Sequence, residues 1–562
     1  MCIIQIMYKT CPSMVHHMKK ISIFIVALFS LLALAACAPH QSTELQPAAS
    51  QSSTADLFSP AQKCSACHDN LKDQDGADLS FNALWNGSMH AGASIYPYFL
   101  ASVRHEDISQ PAFKAAIEDS CSTCHLPMAR LTAKTAGQPT TFLGEGSANP
   151  SSPLHALYKE GVSCLVCHQI RADGLGTPAS FSGGYQIDTQ TPAGQRVLYG
   201  PFELDAAMEA IMKGSTNFNV QQSDHMGKSE FCAACHTLYT SPVDRDGKLS
   251  QVKFPEQVPY LEWKQSSLAA NNSCQSCHMP VASGDAKIST LSSQTRSPLS
   301  RHTFTGGNAY MLSLLKGNAQ DLEITASGEQ LDASIQRTTT QLQQQTAALN
   351  ISAGQTSGKL DLEVKVTNLT GHKLPTAFPS RRAWLHVVVK DASGKVFFES
   401  GGWQADGSII GNDNDQDPAR FEPHYTLIQS PDQVQIYEAI LKDLDGKVTT
   451  GVIQAAGYLK DNRLLPSGFD KTKADPDTAV VGEALQDSDF SGGQDELAYQ
   501  VALGGASGPL SVRVELVYQP IGYRWLQNLT SVKTDELETL LKATSNTPNT
   551  PIILSVQELE VK

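Results

Sequence analysis

Beyond residue 37 this chain has no cysteine outside one repeated motif, which excludes a disulfide framework and a free catalytic thiol. It also lacks a phosphate loop, a dinucleotide fingerprint and a hydrolase nucleophile motif. Positive charge is short: 42 Lys and Arg stand against 56 Asp and Glu, a formal net charge of -14. That balance disfavours nucleic acid and anionic lipid and suits a basic partner. Between Leu57 and Asn308 the chain is rich in Gly, Ser and Pro. Each copy of the motif there has about forty residues to itself, too few for a conventional hydrophobic core.

What is present is Cys-x-x-Cys-His, five times: Cys64, Cys67 and His68; Cys121, Cys124 and His125; Cys164, Cys167 and His168; Cys232, Cys235 and His236; Cys274, Cys277 and His278. Two thiols at this spacing add across the two vinyl groups on one porphyrin edge, and the adjoining His supplies an axial imidazole. Each copy reads as a covalent haem c site. Zinc ribbons also use Cys pairs, but they do not require His after the second Cys every time. Five haem c are therefore the expected cofactors. The macrocycles replace the missing core, wrapped by short helices and loops.

Met18-Lys19-Lys20 and the apolar run Ile21 to Ala36 form the charged and apolar regions of a secretory leader. It ends in Leu34-Ala35-Ala36-Cys37, which resembles a bacterial lipobox, so residues 1–36 are expected to be removed and Cys37 lipidated. Cys2 and Cys11 lie upstream of that cut. Ala38 is not the Asp that would retain a lipoprotein at the inner membrane, so the expected location is the outer membrane, facing the periplasm or the cell exterior. Residues 37–56, rich in Ser, Gln, Thr and Ala, read as a flexible tether to the lipid.

Three further segments follow. Residues 57–310 hold the motifs and form the pentahaem domain. Residues 311–350 form a linker with a helix from about Gln330 to Leu349, apolar at Leu331, Ile335, Leu342 and Ala347. Residues 351–562 change to strand alternation, as in Leu360, Leu362, Val364 and Val366 and again in Val512, Val514, Leu516 and Tyr518. Trp384 to Val389 is apolar on both faces and reads as a central strand. An antiparallel β-sandwich without a haem of its own is expected. Asp413, Asp415 and Asp417 alternate as calcium ligands do, but Pro418 stands where Gly is needed and His424 at the twelfth position, which disfavours calcium.

Each iron has a second axial face. The expected sixth ligands are His90, His155, His225, His302 and His372. His90 precedes small Ala91 and Gly92, His155 and His225 lie upstream of the third and fourth motifs, and His302 is followed by Phe304 and two glycines. His372 stands between Gly371 and Pro375 and would reach across from the β region, with His424 as its rival. His40, His105 and His386 are expected to be non-ligands. Met89, Met128, Met226 and Met279 are weaker thioether alternatives. Arg381 and Arg382 are candidates for haem propionates.

The Trp85-x-x-Ser88-x-His90 pattern, the run Gly161-Val162-Ser163-Cys164 and Cys277-His278-Met279-Pro280 resemble the multihaem c-type cytochromes related to the tetrahaem electron acceptor of hydroxylamine oxidoreductase. Gly371-His372-Lys373-Leu374-Pro375-Thr376 and Tyr458 to Pro466 look like the companion β domain of larger bacterial relatives. The resemblance implies electron carriage between redox proteins and adds weight to His90 and His155. Five motifs in place of four depart from that pattern, so the haem order does not carry over. A multihaem oxidoreductase acting on nitrogen or sulfur compounds through one open iron is the alternative. Pentahaem nitrite reductases commonly carry Cys-x-x-Cys-Lys at the catalytic haem, and this chain has none. A subunit of a homo-oligomeric or surface assembly is compatible with electron carriage.

Overall fold

A Cys-x-x-Cys-His segment wound as a helix puts both thiols and the imidazole on one face, because residues three and four apart are neighbours there. The computed structural model of the chain, which describes residues 57–562 except Arg245 and Ser507, shows this at each motif. Helix α1 (Gln62–His68) and helix α3 (Lys114–His125) end on motif histidines. Cys164–Cys167, Ser229–Ala233 and Cys274–His278 are short helical turns in the other three. The leader, the tether, Cys2, Cys11, Cys37 and His40 lie outside the described residues.

Helix α2 (Pro97–Ser109) starts with Pro97 in its first turn, where a missing N–H costs nothing. It buries Phe99 and Val103 against Ile117 of α3, and Tyr98 and Ala101 against Leu529, Leu537 and Leu540 near the C-terminus. Helix α4 (Ala206–Thr216) is capped by Asp205, whose side chain accepts from Ala207 N at 3.1 Å and Met208 N at 2.9 Å. None of its residues is buried. Helix α5 (Gly328–Gln345) opens with a capping box between Ser327 and Gln330. The backbone turns to strand at Ala347, earlier than the helical pattern in the sequence suggests.

The C-terminal half carries several antiparallel sheets. Its long strands are β1 (Ala347–Thr356), β2 (Lys359–Asn368), β3 (Arg382–Lys390), β4 (Val396–Ser400), β5 (Gln494–Ala502), β6 (Leu510–Gln519) and β7 (Ile552–Val561). One sheet runs β4-β3-β6-β7, with Ile436–Tyr437 paired to β3. The other runs from Leu427–Ile428 through β5 and β2 to β1. Leu360, Leu362, Val364 and Val366 of β2 all point inward, as their alternation requires. They share one core with Val387 and Val389 of β3 and Val512 and Val514 of β6. Each such side chain contributes roughly 1.5–3 kcal/mol when fully buried.

The two halves interlock. Arg104 of α2 binds Glu536 at 2.7 Å, and Phe254 packs on Leu441 and Ala455. The backbone N–H of Ser267 donates to Ser467 O at 2.7 Å. The described residues thereby belong to one compact unit. No helix among the described residues is long and apolar enough to cross a membrane.

Candidate functional site

Residues of all five motifs line one continuous cavity of about 1700 Å³. A site for a single small ligand has roughly 300–1,000 Å³. None of the ten motif cysteines is paired in a disulfide. Cysteines of different motifs approach one another across the cavity: Cys64 and Cys164, Cys124 and Cys235, and Cys232 and Cys274. The third and fourth motifs are linked through His90, whose carbonyl accepts from Val162 N at 2.9 Å while its ring faces His236. The motifs therefore run first, third, fourth, with the second and fifth both against the fourth.

The motif imidazoles are oriented by their backbone surroundings. Nδ1 of His68, His125, His168 and His278 lies 2.6, 2.9, 2.7 and 2.6 Å from the carbonyls of Ile288, Ala93, Tyr199 and Thr305. A carbonyl can only accept, so each Nδ1 carries the proton and Nε2 is left as the metal-binding nitrogen. His372 Nδ1 donates in the same way to Lys373 O at 3.0 Å and His302 Nδ1 to Ser300 O at 3.3 Å.

Two imidazoles on one metal, at bonds of about 2 Å, put their ring centres roughly 6 Å apart. Three pairs have that spacing: His90 with His236 at 6.2 Å, His168 with His302 at 6.4 Å, and His278 with His372 at 6.3 Å. The ring planes cross at 82° in the first pair and lie within 9° and 14° of parallel in the others. Burial, together with neighbouring imidazoles, pushes His90 and His302 down to about 3 and His236 to about 4, so these rings are neutral and able to ligate.

The loops that bring the partners are locally determined. Gly161 has φ of +54°, and a Cβ there would lie 2.5 Å from His90 O, so the lead-in to the third motif can rest on the His90 turn only as glycine. Trp85 Nε1 donates to Val162 O at 2.7 Å and closes the same junction. The His372 loop hangs on buried charge. Lys373 Nζ donates to Asp461 Oδ2 at 2.7 Å, and Glu262 Oε2 accepts from Lys373 N at 3.1 Å.

His155 and His225, expected as sixth ligands, stand elsewhere. His225 is saturated within the protein: Nε2 donates to Ile170 O at 2.8 Å, and Nδ1 lies 2.6 Å from Ser223 Oγ. His155 faces Glu323 at 3.9 Å, outside the cavity lining. The expectation of two imidazoles on all five irons therefore meets three pairs. Among the described residues no imidazole is in ring contact with His125, on which Phe99 stacks at 4.0 Å. Phe81 is the ring beside His68, at 5.9 Å.

Three arginines, Arg296, Arg337 and Arg381, line the cavity and could hold propionates. Arg337 Nε has no hydrogen-bond partner among the described residues. Arg382 is instead bound to Asp415 at 2.8 Å and to Gln519. Asp413 is paired with Arg420 at 2.5 Å, and Asp417 accepts from Ala419 N.

Two cavity carboxylates escaped the sequence. Glu106 is buried, and its Oε2 has no hydrogen-bond partner among the described residues. Burial pushes it up to about 7 against a hydrogen bond from Val452 N at 2.8 Å, and nearby Glu256 adds to the rise. Burial likewise holds Glu256 at about 7. Both line the cavity together with Cys121. The signal was present, since Phe99, Val103 and Glu106 fall on one helical face.

No protein-family model and no curated protein matches the chain. Among solved structures it is similar to a penta-haem cytochrome c552 from Thermochromatium tepidum, at 16% identity and a TM-score of 0.48, over 90% of this chain and 99% of that one.

Proposed function

We propose that this chain is a pentahaem c-type cytochrome that carries electrons between redox partners. The observation that carries the reading is the set of three facing imidazole pairs. Each has one member from a Cys-x-x-Cys-His motif and the other from outside the motifs, at 6.2 to 6.4 Å. Bound haem supplies a ferric/ferrous couple whose potential depends on axial ligands, burial and nearby charge. The chain's part is to hold ten thiols in five helical turns, turn each Nε2 inward, and offer guanidinium groups to propionates. α4, with none of its residues buried, presents its apolar face to the cavity, which suits a macrocycle lying against it.

The remaining expectations extend this reading. The sheets of the C-terminal half are read as a sandwich that serves as a docking face. The acidic balance favours a basic redox partner. Lipidation of Cys37 would hold the protein at the outer membrane, which the mass of the mature N-terminal peptide tests against a Cys37→Ser variant.

Haem counted by pyridine haemochrome against protein mass, with spin-quantified electron paramagnetic resonance, tests the main claim. Five haems per chain are expected. Three irons should be low-spin with two imidazoles, one with crossed ligand planes and strong anisotropy, two with near-parallel planes and rhombic signals. Zinc in place of haem would overturn the reading.

A second reading, an oxidoreductase of nitrogen or sulfur oxyanions with one open iron, is favoured at the second motif. No imidazole faces His125 among the described residues, and Glu106 and Glu256 place two protonatable carboxyls near Cys121. Glu106 and Glu256 line the same cavity as Cys121 and His125, and such groups can hold and deliver protons to a reducible oxyanion. Carbon monoxide titration of the reduced protein decides: one bound per chain supports this reading, none removes it.

A further inference from the structure

His68 is the other motif histidine with no imidazole in ring contact among the described residues, and the structure offers it a different donor. The first clue is the chain path. Tyr199 O accepts the Nδ1 proton of His168, in the motif whose Cys164 meets Cys64 of the first motif. From Tyr199 the backbone reaches Phe202, which packs in one cluster with Phe81 and Ile288, the two residues that touch the His68 ring. Asp205, the cap of α4, then accepts from Gln294 Nε2 at 3.1 Å, tying the start of the helix to the segment that follows Ile288.

The second clue is α4 itself. Leu204, Met208, Ile211 and Met212 line the cavity, although no residue of the helix is buried by protein. Its two thioethers are not equivalent. Met212 packs with Leu165, Val166 and Phe218, beside the third motif, whose His168 already faces His302. Met208 stands one turn nearer the Asp205 cap that Gln294 holds, and is part of no hydrophobic cluster among the described residues. A flexible, polarizable side chain left open to the cavity is suited to ligate a soft metal.

We propose that Met208 Sδ is the sixth ligand of the iron held by His68; this rests on the reading of the motifs as haem c sites. Thioether ligation raises the potential of its haem relative to two imidazoles. The first motif stands at one end of the first, third, fourth series, so the most oxidising centre would sit at that terminus and define where electrons leave the chain internally.

The test uses the oxidised full-length holoprotein. A His/Met ferric haem shows a weak sulfur-to-iron charge-transfer band at the red edge of the visible spectrum, which bis-imidazole haem lacks. The band should be present in the wild type and absent in Met208→Leu, with one further iron becoming high-spin and the highest potential lost. Met212→Leu should keep all three features, and Leu preserves the apolar face of the helix. A wild type without the band, with five haems and three bis-imidazole signals intact, overturns the proposal alone, as does loss of the band in Met212→Leu but not in Met208→Leu. A haem count other than five instead overturns the cytochrome reading.

Discussion

Replacing Asp461 by Asn should loosen the loop that presents His372. Asp461 is buried and receives Lys373 Nζ at 2.7 Å, Arg463 Nε at 2.8 Å and Arg463 Nη2 at 2.8 Å. Arg463 Nη1 is also 3.0 Å from Glu262. The amide keeps the shape and removes the charge. Arg463 retains Glu262, but the fully buried Lys373 ammonium is left with the Ala479 carbonyl at 3.3 Å. Breaking a buried pair from one side costs about 3–5 kcal/mol. The pair itself is worth less. Although burial raises the Asp461 carboxyl, Arg463 and Lys373 bring it from 3.8 to about 2, or about 2 kcal/mol by linkage. That contribution is present above pH 4 and is lost as pH falls through 2. Guanidinium unfolding at pH 7 should show a midpoint well below wild type, and the count of bis-imidazole irons should fall by one as His372 disengages. An unfolding free energy within about 0.5 kcal/mol of wild type would refute the account of this loop.

Three shorter predictions accompany it. His372→Ala should convert one low-spin iron to high-spin, whereas His225→Ala should change no spin state because both of its nitrogens are bound within the protein; resonance counts on the two variants check both. Burial raises Glu106 from 4.5 to about 7, so its stabilising protonated form is complete below pH 4.5 and lost as pH climbs through 7. Unfolding midpoints should therefore fall across that window in wild type and fall less in Glu106→Gln. Gly161→Ala should push the third-motif lead-in off His90 O, costing at least about 1 kcal/mol and disturbing the crossed-plane signal, which an unchanged spectrum would contradict.

The proposed covalent chemistry is the most legible part of such a chain, because thioether attachment demands a contiguous pattern. The alternation of Leu360 to Val366 was equally readable, since a strand buried on one face must repeat every second residue. The proposed distal ligands are harder to read. His90, His302 and His372 reach their partners from loops whose positions are set by distant residues: Val162 for His90, and Asp461 and Glu262 for His372. His225 carried the same local signals and was claimed instead by Ile170 O, which nothing near it in sequence announces. The thioethers of α4 were missed for the same reason, as an exposed helix betrays its cavity face only once the surrounding loops are in place.

Hydrogen-bond direction separates the proposed iron ligands from a cluster that imitates a metal site. His424, Asp487 and Asp495 are buried and offer ligand atoms within 4.8 Å of one another. Gln435 Oε1 accepts from Tyr425 N, and Asn462 Oδ1 from Glu438 N, which fixes both amides. Their NH₂ groups then point at His424 Nδ1, at 2.9 and 3.1 Å. Nδ1 is therefore the acceptor, and Nε2 carries the proton toward Asp487 at 3.0 Å. A metal at Nε2 would require either an imidazolate or reversal of both amides against their backbone partners. Burial also raises Asp495, to about 7, which disfavours the charged carboxylate that a cation would need. At His68, His125, His168, His278, His302 and His372 the same reasoning runs the other way. There the proton is fixed on Nδ1 by a carbonyl, which leaves the Nε2 lone pair available to the proposed iron.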